Sequence, residues 1–522
     1  MINNLYPDLV LLNGNIYTIN STMGKARALA IKGDKVINIG ESYEIERCIG
    51  HYTKIFDLEG KTVLPGFIDC HTHFTISCSG FHIDLYSVAS KEEALSLINT
   101  KIEEISNEKW VIGEHWDAYR WQKEEAITKE ELDTLLPDNP AILVNLDLHE
   151  GIVNSKGLEV LKLPRDIPIF DESNGIVREK ALENALRGID KSADLKVVKE
   201  RIETLINEAV KMGVTSIQVM SDLDEKDLKA YAALLKEGKL KVRVYLMPYI
   251  HQLGHLLKLG LTPGFGNEWI TIGAVKIIAD GDIASQTAAM SSPYPNSTGY
   301  KGALRYSRED LKKKIMEAHR AGLQLAIHAI GDRAIDLVQE GIEDALTLYP
   351  LKEHRHRIEH FELANPNQMD KAARLGIIAS MQPCLLARSY VYEKSLGEGW
   401  GKRNNLLKQV ADKGITIVFG SDIDPACAMS SPLYGIHWAV NTPNPRQRLG
   451  VEEAIKSYTS QAAFASFEED LKGTIEPGKL ADLVILSDNP FEQQDRIKEI
   501  KVLMTIVGGK PRFINENFKL EH

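Results

Sequence analysis

Between Thr62 and Gly420 the chain alternates short apolar, β-branched runs with amphipathic helical segments, and this rhythm leaves few folds open. The strand-like runs are Thr62–Cys70, Thr215–Met220, Lys241–Pro248, Thr271–Ala279, Gln324–His328, Arg357–His360, Ile377–Met381 and Thr416–Gly420. Runs that are apolar on both faces, each followed by a helix, suit a parallel sheet covered by helices. Eight such βα units closing on themselves make a TIM-like (β/α)8 barrel, so an α/β fold of that kind is expected.

Two regions go beyond a bare barrel. The stretch from about residue 74 to 201 is too long for an ordinary βα connection. It holds its own strand-like runs, Trp110–Gly113 and Ala141–Asp147, and reads as an ordered insertion after the first barrel strand, placed to cover the barrel mouth. Both ends of the chain are strand-rich and punctuated by Gly, Asn and Asp. Asp8–Gly14, Asn15–Ile19, Ala28–Asp34 and Lys35–Ile39 lie at one end, Ala481–Leu486 and Val502–Val507 at the other. The expected organisation is a composite β-domain, a small β-sandwich built from residues 1–60 and 470–522, beside a barrel of residues 61–469.

Composition narrows the partners. Hydrophobic residues are 43% and charged residues 26% of 522, ample for a core of this size. Acidic residues outnumber basic ones by 73 to 62, which argues against a general nucleic-acid binder or a polybasic membrane-surface protein. No apolar run approaches the ~18–20 residues of a membrane span. The N-terminus has no basic stretch followed by an apolar core, so no secretory signal is read. Cys48, Cys70, Cys78, Cys384 and Cys427 are scattered and form no CxxC pair, which disfavours a disulfide framework or a zinc knuckle. A cytoplasmic protein acting on a small molecule is expected, with homo-oligomer formation left open. No phosphate-binding glycine motif occurs, so nucleotide enzymes are set aside.

In such a barrel chemistry sits where strands end. The first strand runs into His71-Thr-His73, the fourth contains Lys276 and leads to Asp280-Gly281, the fifth ends at His328, the sixth at Glu359-His360 and the eighth at Ser421-Asp422. Alternation along the first strand sends His71 and His73 to one side, within reach of one metal. A lone HxH is weak, and the chain holds a second, His354-Arg-His356, in the charged run Lys352–Arg357 that reads as a solvated loop. The weight lies in the joint placement of ligand-type residues at several strand ends.

Val63-Leu-Pro-Gly-Phe-Ile-Asp-Cys-His-Thr-His73, Ser421-Asp422 and Glu476-Pro-Gly-Lys-Leu-Ala-Asp-Leu-Val484 resemble the amidohydrolase superfamily. Ala274-Val-Lys-Ile-Ile-Ala-Asp-Gly281, His328-Ala-Ile-Gly-Asp-Arg-Ala334 and Arg357-Ile-Glu-His360 are similar to its composite-domain branch, which includes the N-substituted formamide deformylases. The resemblance implies His71, His73 and Asp422 on one divalent metal and His328 and His360 on a second. Lys276 would bridge the two as an N-carboxylated lysine formed with carbon dioxide. Zinc is the default ion for neutral imidazoles and carboxylates. The implied activity is hydrolysis of a carbon–nitrogen bond, a non-peptide amide, with metal-activated hydroxide and with Asp422 relaying the proton to the leaving nitrogen.

Softer similarities place His149, in Asp147–Ser155, near the substrate, and Trp116, in Trp110–Asp117, on the pocket wall or in packing. Asp332 is expected to cap the helix that follows it. The sequence departs from the branch at Asp282, where a small residue is common, and at Gln286, in place of a frequent arginine. Substrates of the better known members therefore do not carry over. Two other readings stand beside this one. A one-metal aminohydrolase (deaminase) would have a glutamate where Gly331 stands, and a non-catalytic scaffold would have lost ligands that are all retained here.

Overall fold

The structure is a computed structural model that describes residues 6–74, 80–104, 109–121, 126–164, 170–190, 193–221, 225–295, 297–516 and 518. It is a mixed α/β fold. The central strands are β1 (Phe67–Thr72), β2 (Val214–Ser221), β3 (Arg243–Pro248), β4 (Val275–Ile278), β5 (Leu325–Ala329), β6 (Arg357–His360), β7 (Ile378–Met381) and β8 (Ile417–Phe419). They pair in chain order and in parallel, β1–β2–β3 in one ladder and β4 through β8 in another. At one seam between the ladders Gly273 N donates to Leu246 O at 2.9 Å, and Tyr249 bridges to Lys276. At the other, Asp422 N donates to His71 O at 2.7 Å.

Helices cover the outer face of these strands. Arg308–Arg320 and Asp332–Leu348 bury Leu311, Ile315, Ile335, Val338 and Ile342 against Ile277, Leu325, Ile327 and Ile358, apolar area whose removal from water drives the packing.

Two expected strands are each broken by a glycine. Thr62–Cys70 divides at Gly66: Thr62–Pro65 pairs with Asn15–Tyr17 and Leu483–Leu486, while β1 pairs with β2. A Cβ on Gly66 would lie 2.2 Å from Thr215 Cγ2, so no larger residue fits where the chain passes between sheets. Thr271–Ala279 divides at Gly273: Ile270–Ile272 pairs with β3 and β4 with β5. A Cβ there would fall 1.9 Å from the Tyr245 ring.

Both ends of the chain contribute to one six-stranded sheet, ordered Lys510–Ile514, Val502–Val507, Leu483–Leu486, Thr62–Pro65, Asn15–Tyr17 and Lys25–Ala26. A four-stranded sheet of Lys35–Gly40, Ala28–Lys32, Leu9–Leu12 and Lys54–Asp57 shares a core with it, formed by Leu11, Ile16, Leu29, Val63, Ile485 and Met504. The long segment after β1 has its own six-stranded sheet, with Val111–Trp116 and Ala141–Asn145 at its centre. Alternation splits its two faces: Val111 and Leu143 pack on Ala94 and Ile98, and Ile112 and Val144 on Leu182 and Leu186.

Three local expectations are corrected. The run Lys352–Arg357 is not a solvated loop, because His354, His356 and Arg357 are buried. His356 Nδ1 accepts from Leu325 N at 3.1 Å, and His354 Nδ1 accepts from His356 N at 2.8 Å, so these imidazoles tie together the starts of the strands and stay far from any catalytic role. Burial holds His356 well below the usual histidine range, which keeps it neutral. Asp332 does not cap its helix. It is the first helical residue, Gly331 holds the cap position, and the Asp332 carboxylate accepts from Ser291 N at 2.7 Å. The third correction, Trp116, belongs with the cavity described below. Cys48, Cys70, Cys384 and Cys427 are free thiols, and Cys78 lies outside the described residues. Among the described residues no helix is long and apolar enough to cross a membrane.

Candidate metal centre

The strand ends bring the six expected side chains into one cluster. Asp422 Oδ1 lies 3.1 Å from His71 Nε2 and 3.1 Å from His73 Nε2, and Asp422 Oδ2 lies 3.9 Å from His360 Nδ1. His71, His360 and Asp422 each offer a ligand atom within 4.8 Å of the others. This trio crosses the two sets implied by the resemblance, joining His360 to the His71 side. Lys276 Nζ sits 3.2 Å from His71 Nε2, and the His328 ring packs 4.4 Å from that of His360. Two residues of the cluster are held at left-handed backbone angles, Asp422 at φ 62° and His360 at φ 75°, strain of the kind stored where function needs a fixed geometry.

Each of three imidazoles has one nitrogen facing an acceptor, which leaves the other as the available ligand atom. His71 Nδ1 donates to Glu359 Oε2 at 2.6 Å, His360 Nδ1 to Gln382 Oε1 at 2.9 Å, and His328 Nε2 to Gly281 O at 3.2 Å. Partners of this kind orient metal-binding histidines and raise their basicity. Burial pushes His360 down to about 3 and His328 well below the histidine range, so both rings are neutral donors. Burial opposes ionisation of Asp422, but His71 and His360 hold its carboxyl well below the usual range. Neutral imidazoles around a carboxylate are a donor set that fits a divalent cation. Burial also pulls Lys276 down to about 8, against the opposing pull of Glu359 and Asp422. Such an amine loses its proton readily, as carboxylation requires.

Several residues support the cluster, and of these only Glu359 was named among the strand ends from sequence. Burial would raise the Glu359 carboxyl, yet Arg357 and His71 hold it well below the usual range. Arg357 also donates to Ser380 Oγ at 2.9 Å, so one buried guanidinium ties β6 to β7 beneath the centre. Asp69 accepts from His71 N at 3.1 Å and from Ser421 N at 3.0 Å, locking the first and last ligand loops together. Asp69 stands two residues before His71, a spacing that could have flagged it. Gln382 follows a strand that carries no ligand, and nothing in its surroundings in sequence marks it.

A cavity of about 670 Å³ opens over the cluster, reached by His71, His73, Lys276, His328, His360 and Asp422. Its far wall comes from the long segment after β1, including Leu148, His149, Glu179, Leu182 and Leu186. His149 Nδ1 lies 3.1 Å from both Glu179 carboxylate oxygens, and its ring packs 5.6 Å from that of His328. Burial disfavours its charge, but Glu179, Asp282 and Asp147 outweigh that and push it up to about 10. Trp116 is not on this wall. It is 1% exposed, 5.8 Å from the Trp121 ring, in the apolar core of that segment with Leu85 and Leu132, because its strand turns this residue inward.

A family model described as the amidohydrolase family matches residues 54–513. The chain belongs to the amidohydrolase family. It is 30% identical to protein LONG AFTER FAR-RED 3 of Arabidopsis thaliana, over 97% of this chain and 91% of that one. It is 24% identical to the N-substituted formamide deformylase of Arthrobacter pascens, over 97% of this chain and 98% of the deformylase. A solved metal-dependent hydrolase from Pyrococcus furiosus superposes with a TM-score of 0.74 at 31% identity, covering 92% of this chain and 99% of the other. Membership of a family of metal-dependent hydrolases implies a divalent metal for this amidohydrolase, and the donor set above fits one.

Proposed function

We propose that this chain is a binuclear metal hydrolase that cleaves a non-peptide amide. The two ladders close as one (β/α)8 barrel of residues 61–469, interrupted by the insertion at about 74–201. A β-sandwich of residues 1–60 and 470–522 packs beside it. His71, His73 and Asp422 hold one ion, His328 and His360 a second, and Lys276, carboxylated by carbon dioxide, joins them, with zinc the fitting metal. The observation that carries the reading is the convergence of six ligand-type side chains from five strands on Asp422 and its neighbours. The deformylase relative supports an amide as the bond broken.

Bound there, two divalent ions would lower the pKa of a water toward ~7 and polarise the substrate carbonyl. The chain's own residues supply the rest. Glu359 and Gln382 fix the His71 and His360 rings. Asp422, whose side chain keeps 23% of its surface exposed at the cavity, accepts the proton of the attacking water and delivers it to the leaving nitrogen. Glu179 takes His149 Nδ1, which leaves Nε2 to donate to the oxygen that becomes negative as the carbonyl is attacked.

A hydrolysis screen of N-acyl, N-formyl and cyclic amides with metal-replete protein tests the reading. At least one class should turn over and stop on chelation. Deamination of amino-heterocycles in place of amide cleavage would overturn it. His149→Ala should lower kcat by ~10²–10³, the usual cost of one lost oxyanion donor, with a smaller change in KM. Steady-state kinetics on the best amide decides this, and unchanged kcat/KM would remove His149 from the mechanism.

A further inference from the structure

The cluster borders two spaces. Beside the wide cavity lies a chamber of about 30 Å³, walled by Asp282, Glu362, Leu385, Arg388 and Tyr392. Asp147, His149, His360 and Asp422 line both spaces, so a substrate with its carbonyl at Asp422 reaches into each. A volume of this size admits one or two water-sized groups.

Besides Asp422, three carboxyl groups border this small space. Glu362 is 2% exposed: the Tyr392 hydroxyl donates to its Oε2, while its buried Oε1 has no hydrogen-bond partner among the described residues. Asp147 Oδ2 is likewise buried and unpartnered. Asp282 accepts from Ala284 N at 2.6 Å through Oδ1. Two cations line the wall, His149 and Arg388, the latter 6% exposed, with its Nε donating to Asp117 Oδ2 at 2.9 Å. The Arg388 charge is therefore already met, and His149 is matched by Glu179. Arg388 Nη2 nevertheless has no partner among the described residues. Buried oxygens and N–H groups without partners are costly, and native structures rarely keep them unless something else completes them. What completes this set is a compact group with several N–H donors and a positive charge, carried next to an acceptor oxygen for Arg388.

We propose that this chamber is the subsite for a primary ammonium group of the substrate. The amides turned over then carry such a group within a few bonds of the scissile carbonyl, whose own oxygen or a neighbouring one meets Arg388. The inference rests on the hydrolytic reading above only for the word amide. It also gives a role to Asp282, the residue at which the sequence departs from the small residue common in its branch.

Calorimetric titration of the metal-loaded full chain with propylamine hydrochloride, 1-propanol and sodium propionate tests the subsite without turnover. Propylammonium should bind, at least ~10-fold more tightly than propanol, and Glu362→Gln and Asp282→Asn should each remove that preference. Asp147→Asn serves the same purpose if one of those variants does not fold. In turnover, an ω-amino amide should exceed its hydroxy isostere by at least ~10-fold in kcat/KM. Propanol binding as well as propylammonium, propionate binding more tightly than either, or an amine preference that survives both substitutions would each overturn the subsite. If amides are cleaved with no preference for the amine, hydrolysis stands and the subsite falls. If propylammonium binds through Glu362 but no amide is cleaved, the subsite stands and the hydrolytic reading falls.

Discussion

Asp422→Asn should lower kcat by at least ~10²–10⁴, the range usual for losing a positioned acid–base group. Asp422 is the residue on which His71 and His73 converge, each nitrogen 3.1 Å from the same Oδ1. Its other oxygen reaches toward His360, and the side chain is 23% exposed where His71, His360 and Lys276 are nearly closed off. Asparagine keeps the size and the left-handed turn at φ 62°, since Asn tolerates that region well. It retains one oxygen for a metal but has no oxygen basic enough to take a proton. Turnover should therefore collapse while KM and metal content change much less. A variant that keeps both its metal and near-wild-type kcat would remove Asp422 as the proton carrier.

Lys276→Ala should cost metal and activity together. The lysine is 2% exposed within a strand of buried apolar residues, and its Nζ lies 3.2 Å from His71 Nε2. An ammonium there faces burial and would repel any cation in the cluster, whereas a carbamate reverses the charge and offers an oxygen to each ion. Metal affinity should fall by more than the ~10–100-fold typical of an outer-shell loss. Acetate should restore part of the activity, because a small carboxylate fills the vacated bridge. A Lys276→Ala protein with full metal and full turnover would show that the lysine is only a buried strand residue.

Much of the site was legible because strand ends are legible. His71, His73, His328, His360 and Asp422 stand at or beside the ends of runs whose apolar character marks them as buried strands, Lys276 lies within one, and parallel strands send such ends to one edge. The divided strands were hidden because Gly66 and Gly273 matter through what touches them, Thr215 and Tyr245, which are distant in sequence. Lys352–Arg357 misled for a related reason: charge density predicts solvent only where no partner is waiting, and His319 and Leu325 supply partners from two other elements. Its neighbours in sequence left Trp116 either on the pocket wall or in packing, and strand alternation points it into the apolar core of the long segment after β1. The chamber beside the cluster was invisible to any local pattern, since Asp147, Asp282 and Glu362 come to it from three separate loops.

The most direct test of the binuclear centre is elemental analysis of the full chain purified in the presence of zinc and carbon dioxide, alongside Lys276→Ala. A carbamate-bridged pair requires about two equivalents of metal per chain in the wild type, as in other two-metal sites, and clearly less in the variant. A single equivalent that Lys276→Ala leaves unchanged, or no bound metal at all, would contradict it.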